Sequence, residues 1–201
     1  MKIDLIFIFM PFLYGLSILG LSIYKLEFLL VFVNYILFGK ISNKYEKILF
    51  KSIFGKNSKL VKRPNPLGTE IIKGKYDKCS IPINKLKPWK LKLVDKDYFK
   101  DNKNIPSYGF PSGHAQESSF IATFFTLYTL NKDNKHKYVY ITILWIINIL
   151  TIHQRLRIGC HTILQVCVGD LFGIGLGILS YYICHKIYPD KFPDNYISKL
   201  F

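Results

Sequence analysis

Acidic residues are scarce in this chain of 201 residues: 13 Asp and Glu stand against 28 Lys and Arg, a formal charge of +15. The four cysteines, Cys79, Cys160, Cys167 and Cys184, form no C-x-x-C pair and no zinc-ligand spacing, which argues against a zinc module. They read as small buried hydrophobes. No internal repeat and no low-complexity linker interrupts the sequence, so a solenoid or a two-domain chain is disfavoured and a single domain over 1–201 is expected. What the chain does have is apolar residues, half of the total, bunched in long runs instead of spaced at helical or strand periods. Such bunching points to a bilayer. The positive charge by itself suits nucleic acid, an anionic membrane surface or a phosphorylated substrate equally well.

The runs predict an all-α, integral membrane helical bundle of about five transmembrane helices, at 5–24, 26–39, 118–130, 138–152 and 163–184. The first has about twenty residues without a charge and no small-residue cleavage site, so it is expected to be a retained anchor. The second is short and is expected to continue through the amphipathic stretch 45–54, with Ile48, Leu49, Ile53 and Phe54 sharing a face. Between the second and third spans, 55–110 turns to Lys, Asn, Asp and Pro and reads as a long extramembrane loop. Gly169, Gly173, Gly175 and Gly177 in the last span are spaced for close helix packing. Five crossings put the long loop and the segment around Arg155 on one membrane face.

That face would collect three basic stretches: Lys56 through Arg63-Pro64, then Pro111-Ser112-Gly113-His114, then Arg155 through His161. A phosphoryl group in transfer spreads charge over its equatorial oxygens, which fixed cations and N–H donors stabilise. Arginine forks can each grip two oxygens, a lysine adds a point charge, and a glycine lets the backbone approach. In order and spacing the three stretches resemble the type 2 phosphatidic acid phosphatase family, with its K-x6-R-P, P-S-G-H and S-R-x5-H-x3-D pattern. The resemblance implies that His161 attacks phosphorus to give a phosphohistidine and that His114 protonates the leaving oxygen. It implies phosphate binding by Lys56, Arg63, Ser112, Gly113 and Arg155, and no metal or other cofactor. The implied substrate is a membrane lipid phosphate or a polyprenyl or dolichyl diphosphate, in the endoplasmic reticulum or another membrane.

Two positions depart from the pattern. Gln165 replaces the usual Asp; four residues beyond His161, its carbonyl oxygen is expected to accept the His161 Nδ1–H. The string His161-Thr162-x-x-Gln165-Val166 also resembles the dolichyl diphosphatase branch. Gln154 stands where Ser normally precedes Arg155. The lysine is contested, since Lys56 has the spacing and Lys51 the helical context. Gln116 and Glu117 read as a solvated first turn, and Asp170 as an acid paired with a polar group inside the bundle. The Lys-rich loop reads as drawn to anionic headgroups, with no nucleic-acid partner expected. Two rival readings remain: a phosphotransferase of the same architecture, and a catalytically silent membrane scaffold. Orientation is also open, because the positive-inside rule turns the basic face to the cytoplasm and the dolichyl resemblance turns it to a lumen.

Overall fold

In a computed structural model, residues 2–55, 58–64 and 109–193 are described, and among them there are helices and no β-strand. Helix α1 (Lys2–Tyr24) is followed by a nearly unbroken helical rod made of α2 (Glu27–Asn34), a π-helical turn (Tyr35–Ile41) and α3 (Ser42–Phe54). Then come α4 (Gly113–Leu130), α5 (Lys137–Arg157) and α6 (Ile163–Ile187). By length and composition, α5 and α6 are each apolar enough to cross a membrane, and Met10–Tyr24 of α1 is a further apolar helical stretch. The predicted second span therefore belongs to a much longer rod, whose lower half is α3.

The apolar face expected on α3 is turned outward. Ile48, Leu49 and Ile53 are more than half exposed. The helical step instead turns Asn43, Lys47 and Phe50 toward the protein, with Phe50 packing edge-on against Phe110 at 4.7 Å between ring centroids.

Helices α4 and α6 run parallel and interlock along a glycine seam. A Cβ added at Gly169 would lie 2.5 Å from the Ser112 carbonyl, at Gly173 2.2 Å from the Gln116 carbonyl, and at Gly177 2.9 Å from the Phe120 carbonyl. Only a missing side chain lets the two backbones come this close. Gly175 does not belong to the seam, because nothing lies within 4 Å of its added Cβ. Parallel pairing brings the N-termini of both helices to the same end of the bundle, and α5, running the other way, delivers its C-terminus there.

The opposite end is closed by an aromatic core in which Phe28, Phe120, Phe124, Tyr181 and Phe192 stack and tilt against one another. Phe192 is held there from beyond α6 by its own carbonyl against His185 and by the Tyr181 hydroxyl, which donates to the Pro193 carbonyl at 2.7 Å.

Candidate active site

The site is assembled from helix ends. Helix α5 stops at Ile158, and Gly159, at φ +69°, makes the left-handed turn that a side-chain-bearing residue adopts only at a cost. The chain thereby doubles back, so that His161 lies close to Arg155, and both are buried. Thr162 then caps α6: its hydroxyl accepts from the Gln165 N–H, and Gln165 Oε1 accepts from the Thr162 N–H, each at 3.3 Å.

Three side chains converge on Gly109. A Cβ there would lie 2.7 Å from Gln165 Oε1, 2.8 Å from Arg63 Cγ and 3.1 Å from His161 Nδ1. The neighbouring stretches are tied in by backbone. The Gly109 N–H donates to the Val61 carbonyl at 2.8 Å, and the Ser112 N–H donates to the Gln165 carbonyl at 2.9 Å. His114, in the first turn of α4, and Arg155, in the last turn of α5, are both near enough for their charges to act on His161. The structure therefore brings together Arg63, Ser112, Gly113, His114, Arg155, His161 and Gln165. Lys56 lies outside the described residues.

One cation in the site was not expected. Lys47 places its Nζ 3.7 Å from where a Gly113 Cβ would be, and its charge acts on His161 together with those of Arg63 and Arg155. A polar network fixes it there. Asn43, one turn earlier on α3, donates to Gln116 Oε1 at 2.5 Å, and Gln116 Nε2 donates to Ser42 Oγ and Glu46 Oε1. Gln116 is thus fully buried, not solvated, and Glu117 lies 2.6 Å from the Tyr35 hydroxyl instead of facing water. The K-x6-R-P spacing points past Lys47; the signal that finds it is the i, i+4 pair Asn43 and Lys47 on one helical face.

Electrostatics follow from crowding like charges in a buried place. Burial comes first and the charges of Arg63, Arg155, Lys47 and His114 follow in holding His161 well below the usual imidazole value, which keeps the ring neutral. Burial, then Arg63, lowers Lys47 to about 8, and burial lowers Arg63 to about 10. Among the described residues of the site, Ser112 Oγ and His161 Nδ1 are buried polar atoms without a hydrogen-bond partner. Buried polar groups are nearly always satisfied, so orphans at a cation cluster are what an anion-binding site with a nucleophile presents.

Two expectations are corrected. Gln165 does not accept the His161 Nδ1–H: that nitrogen has no hydrogen-bond partner, while Gln165 Oε1 accepts from the Thr162 N–H and its Nε2 donates to the Leu60 and Lys62 carbonyls, each at 2.8 Å. Cys160 is not a lone buried thiol but is disulfide-bonded, with a partner that is not among the described residues; Cys184 is free and buried, and Cys167 is free and exposed. Asp170 is paired inside the bundle as expected, accepting from Asn148 Nδ2 at 2.9 Å.

The family model of the PAP2 superfamily matches residues 62–189, from the Arg63 stretch through α6. Among curated proteins, lipid phosphate phosphatase gamma of Arabidopsis thaliana is 26% identical over 92 residues, covering 43% of this chain and 41% of that protein. Dolichyldiphosphatase 1 of Dictyostelium discoideum is 32% identical over 93 residues, with the same coverage of 43% and 41%. The chain thus spans under half the length of the curated relatives it matches, and no solved structure matches it. With the matched region holding Arg63, Ser112, His114, Arg155 and His161 around one point, the chain belongs to the PAP2 superfamily.

Proposed function

We propose that this protein is a multi-pass membrane phosphatase that hydrolyses a lipid phosphate or a polyprenyl diphosphate through a phosphohistidine on His161. The observation that carries the reading is the meeting of Arg63 and His161 at Gly109, within the field of Arg155, Lys47 and His114. Arg63 and Arg155 grip the equatorial oxygens, and Lys47, the Ser112 hydroxyl and the Gly113 N–H at the start of α4 add donors. Neutral His161 attacks phosphorus, the bond to the lipid oxygen breaks, and His114 gives that oxygen its proton. His114, now neutral, takes a proton from water as the water attacks the phosphohistidine, releasing inorganic phosphate and restoring both rings.

Polarity supports a membrane setting with five crossings: α1, α2 with the π-helical turn, α4, α5 and α6. Apolar side chains face outward on α5 and α6, with Ile149 61%, Ile163 70% and Leu171 67% exposed, while Ser119, Thr151, Gln154 and Asn148 are buried. Water would reverse that arrangement; hydrocarbon favours it. A substrate can then keep its tails in the bilayer and present its phosphate at the surface. The names of the two relatives, one a lipid phosphate phosphatase and one a dolichyldiphosphatase, accord with that substrate class.

The test is phosphate release by the purified protein from dispersed phosphatidate and from polyprenyl diphosphates, beside His161→Ala in the same detergent. Wild type is expected to release phosphate from at least one class and His161→Ala from none. Transfer of label only to an added alcohol would replace the hydrolase with a phosphotransferase. Silence across all substrates would favour a scaffold.

A further inference from the structure

Gln165 joins all three basic stretches, and none of the joints is a hydrogen bond to the histidine it was expected to orient. Its side-chain amide nitrogen, with two hydrogens, serves two carbonyls of the segment leading into Arg63, those of Leu60 and Lys62. Only the nitrogen end of the amide can face two carbonyls, which fixes its orientation. The carbonyl between them, on Val61, is taken by the Gly109 N–H, and the Val61 side chain is fully buried. Its backbone carbonyl holds the Ser112 N–H, and its Oε1 closes the cap at Thr162, next to His161. The residue is fully buried, so no water competes for these bonds.

We propose that Gln165 is a positioning residue for the phosphate-gripping arginine: it fastens the 60–62 segment so that Arg63 is held against His161. A carboxylate cannot take this place. It has no hydrogen to donate, and its oxygens would face two carbonyl oxygens in a buried site, pushing the segment away. An acid four residues beyond the nucleophile and the amide found here are therefore not alternatives for one task. The amide's task is exercised on Arg63.

This inference rests on the phosphate-binding part of the proposed function, and the experiment separates the two. Full-length wild type, Gln165→Glu, Gln165→Asp, Gln165→Met, Arg63→Ala and the double variant Arg63→Ala/Gln165→Glu are purified in detergent. Each is assayed for hydrolysis of dioctanoyl phosphatidate and farnesyl diphosphate, and for thermal stabilisation by inorganic phosphate. Losing two hydrogen bonds to the segment is expected to raise KM, and the phosphate concentration needed for stabilisation, on the order of tenfold. The pH profile of kcat stays as in wild type. In the Arg63→Ala background, Gln165→Glu adds less than about twofold, since it acts through a residue already removed. Gln165→Met, neutral and of similar length, shows the same pattern if the lost donors and not an added charge are responsible.

A fall in kcat with KM unchanged, a shifted pH profile of kcat, or higher activity in Gln165→Asp would overturn the inference in favour of a partner for His161. Full multiplication of the two effects in the double variant would also overturn it. Phosphate stabilisation that depends on Gln165, in a protein that hydrolyses neither lipid, upholds the positioning role and removes the hydrolase reading. A wild type that phosphate does not stabilise sinks the positioning role.

Discussion

Replacing Lys47 by methionine removes one charge while keeping the length and most of the apolar stem, so the effect isolates the ammonium. Burial and the nearby Arg63 bring Lys47 to about 8, with Glu117 and Glu46 opposing them. Its charged fraction therefore falls from about nine-tenths at pH 7 to about one-tenth at pH 9. A charge-assisted hydrogen bond to a phosphate oxygen contributes ~1.5–3 kcal/mol, which is roughly 10- to 150-fold in kcat/KM. The wild-type enzyme should lose that factor as pH passes 8, in kcat/KM and not in kcat, because a bound phosphate restores the proton. Arg63, lowered by burial to about 10, keeps its charge through that step and is separable. Lys47→Met is expected to start from the lowered kcat/KM at pH 7 and to show no step near pH 8. Phosphate release measured from pH 6 to 9.5 on wild type, Lys47→Met, Lys51→Met and Lys56→Met provides the comparison. The reasoning is refuted if Lys47→Met keeps the wild-type value and its alkaline step while one of the other two loses both.

The same titration has a consequence for stability. Because Lys47 releases its proton at about 8 in the folded protein and near 10.5 when free, the unfolded chain binds more protons between those values, so stability contributed by this group rises with pH across that window. The difference in Tm between wild type and Lys47→Met, read at pH 8 and pH 10, should shift in favour of wild type at the higher pH; a constant difference would contradict it. Gly109→Ala puts a Cβ within 3.1 Å of three site residues, and a displacement of this size can cost about 100-fold in kcat/KM. An active Gly109→Ala enzyme would show that the crowding is relieved without moving Arg63 or His161. Gly173→Ala drives a Cβ to 2.2 Å from a backbone carbonyl of α4 and should destabilise by about 1–3 kcal/mol or more, whereas Gly175→Ala, with open space around it, should be neutral or slightly stabilising. Equal melting temperatures for the two variants in detergent would remove the glycine seam as a determinant of stability.

The positions of the main helices were legible because long apolar runs need little context: the runs at 118–130, 138–152 and 163–184 lie inside α4, α5 and α6. The meeting of Arg63, Ser112, His114, Arg155 and His161 at one end of the bundle was legible from the order and spacing of the three basic stretches. Lys47 was not, since a fixed interval to Arg63 cannot reveal a lysine placed by a longer helical rod. Its inward direction is set by Asn43 and Gln116, a contact between residues far apart in sequence. The role of Gln165 was misread for a related reason. A four-residue step correctly puts it on the side of the helix near His161, but sequence gives no account of the carbonyls of Leu60 and Lys62 that claim its amide. Gly175 illustrates the converse, a glycine at a tempting spacing that faces away from the seam.

His114 rides on α4 and His161 sits in the turn just before the cap of α6, and the backbones of these two helices mesh through Gly169, Gly173 and Gly177 from Ser112 to Phe120. Interlocked in this way, they form an anvil that cannot yield without separating main chain from main chain. Lys47 and Arg63 approach from the other direction, on segments tied in by side-chain amides and by the Gly109 bond to the Val61 carbonyl instead of by meshed backbones. Movement at this end of the bundle is therefore expected on the side of Lys47 and Arg63, with α4 and the start of α6 held in place by their meshed backbones.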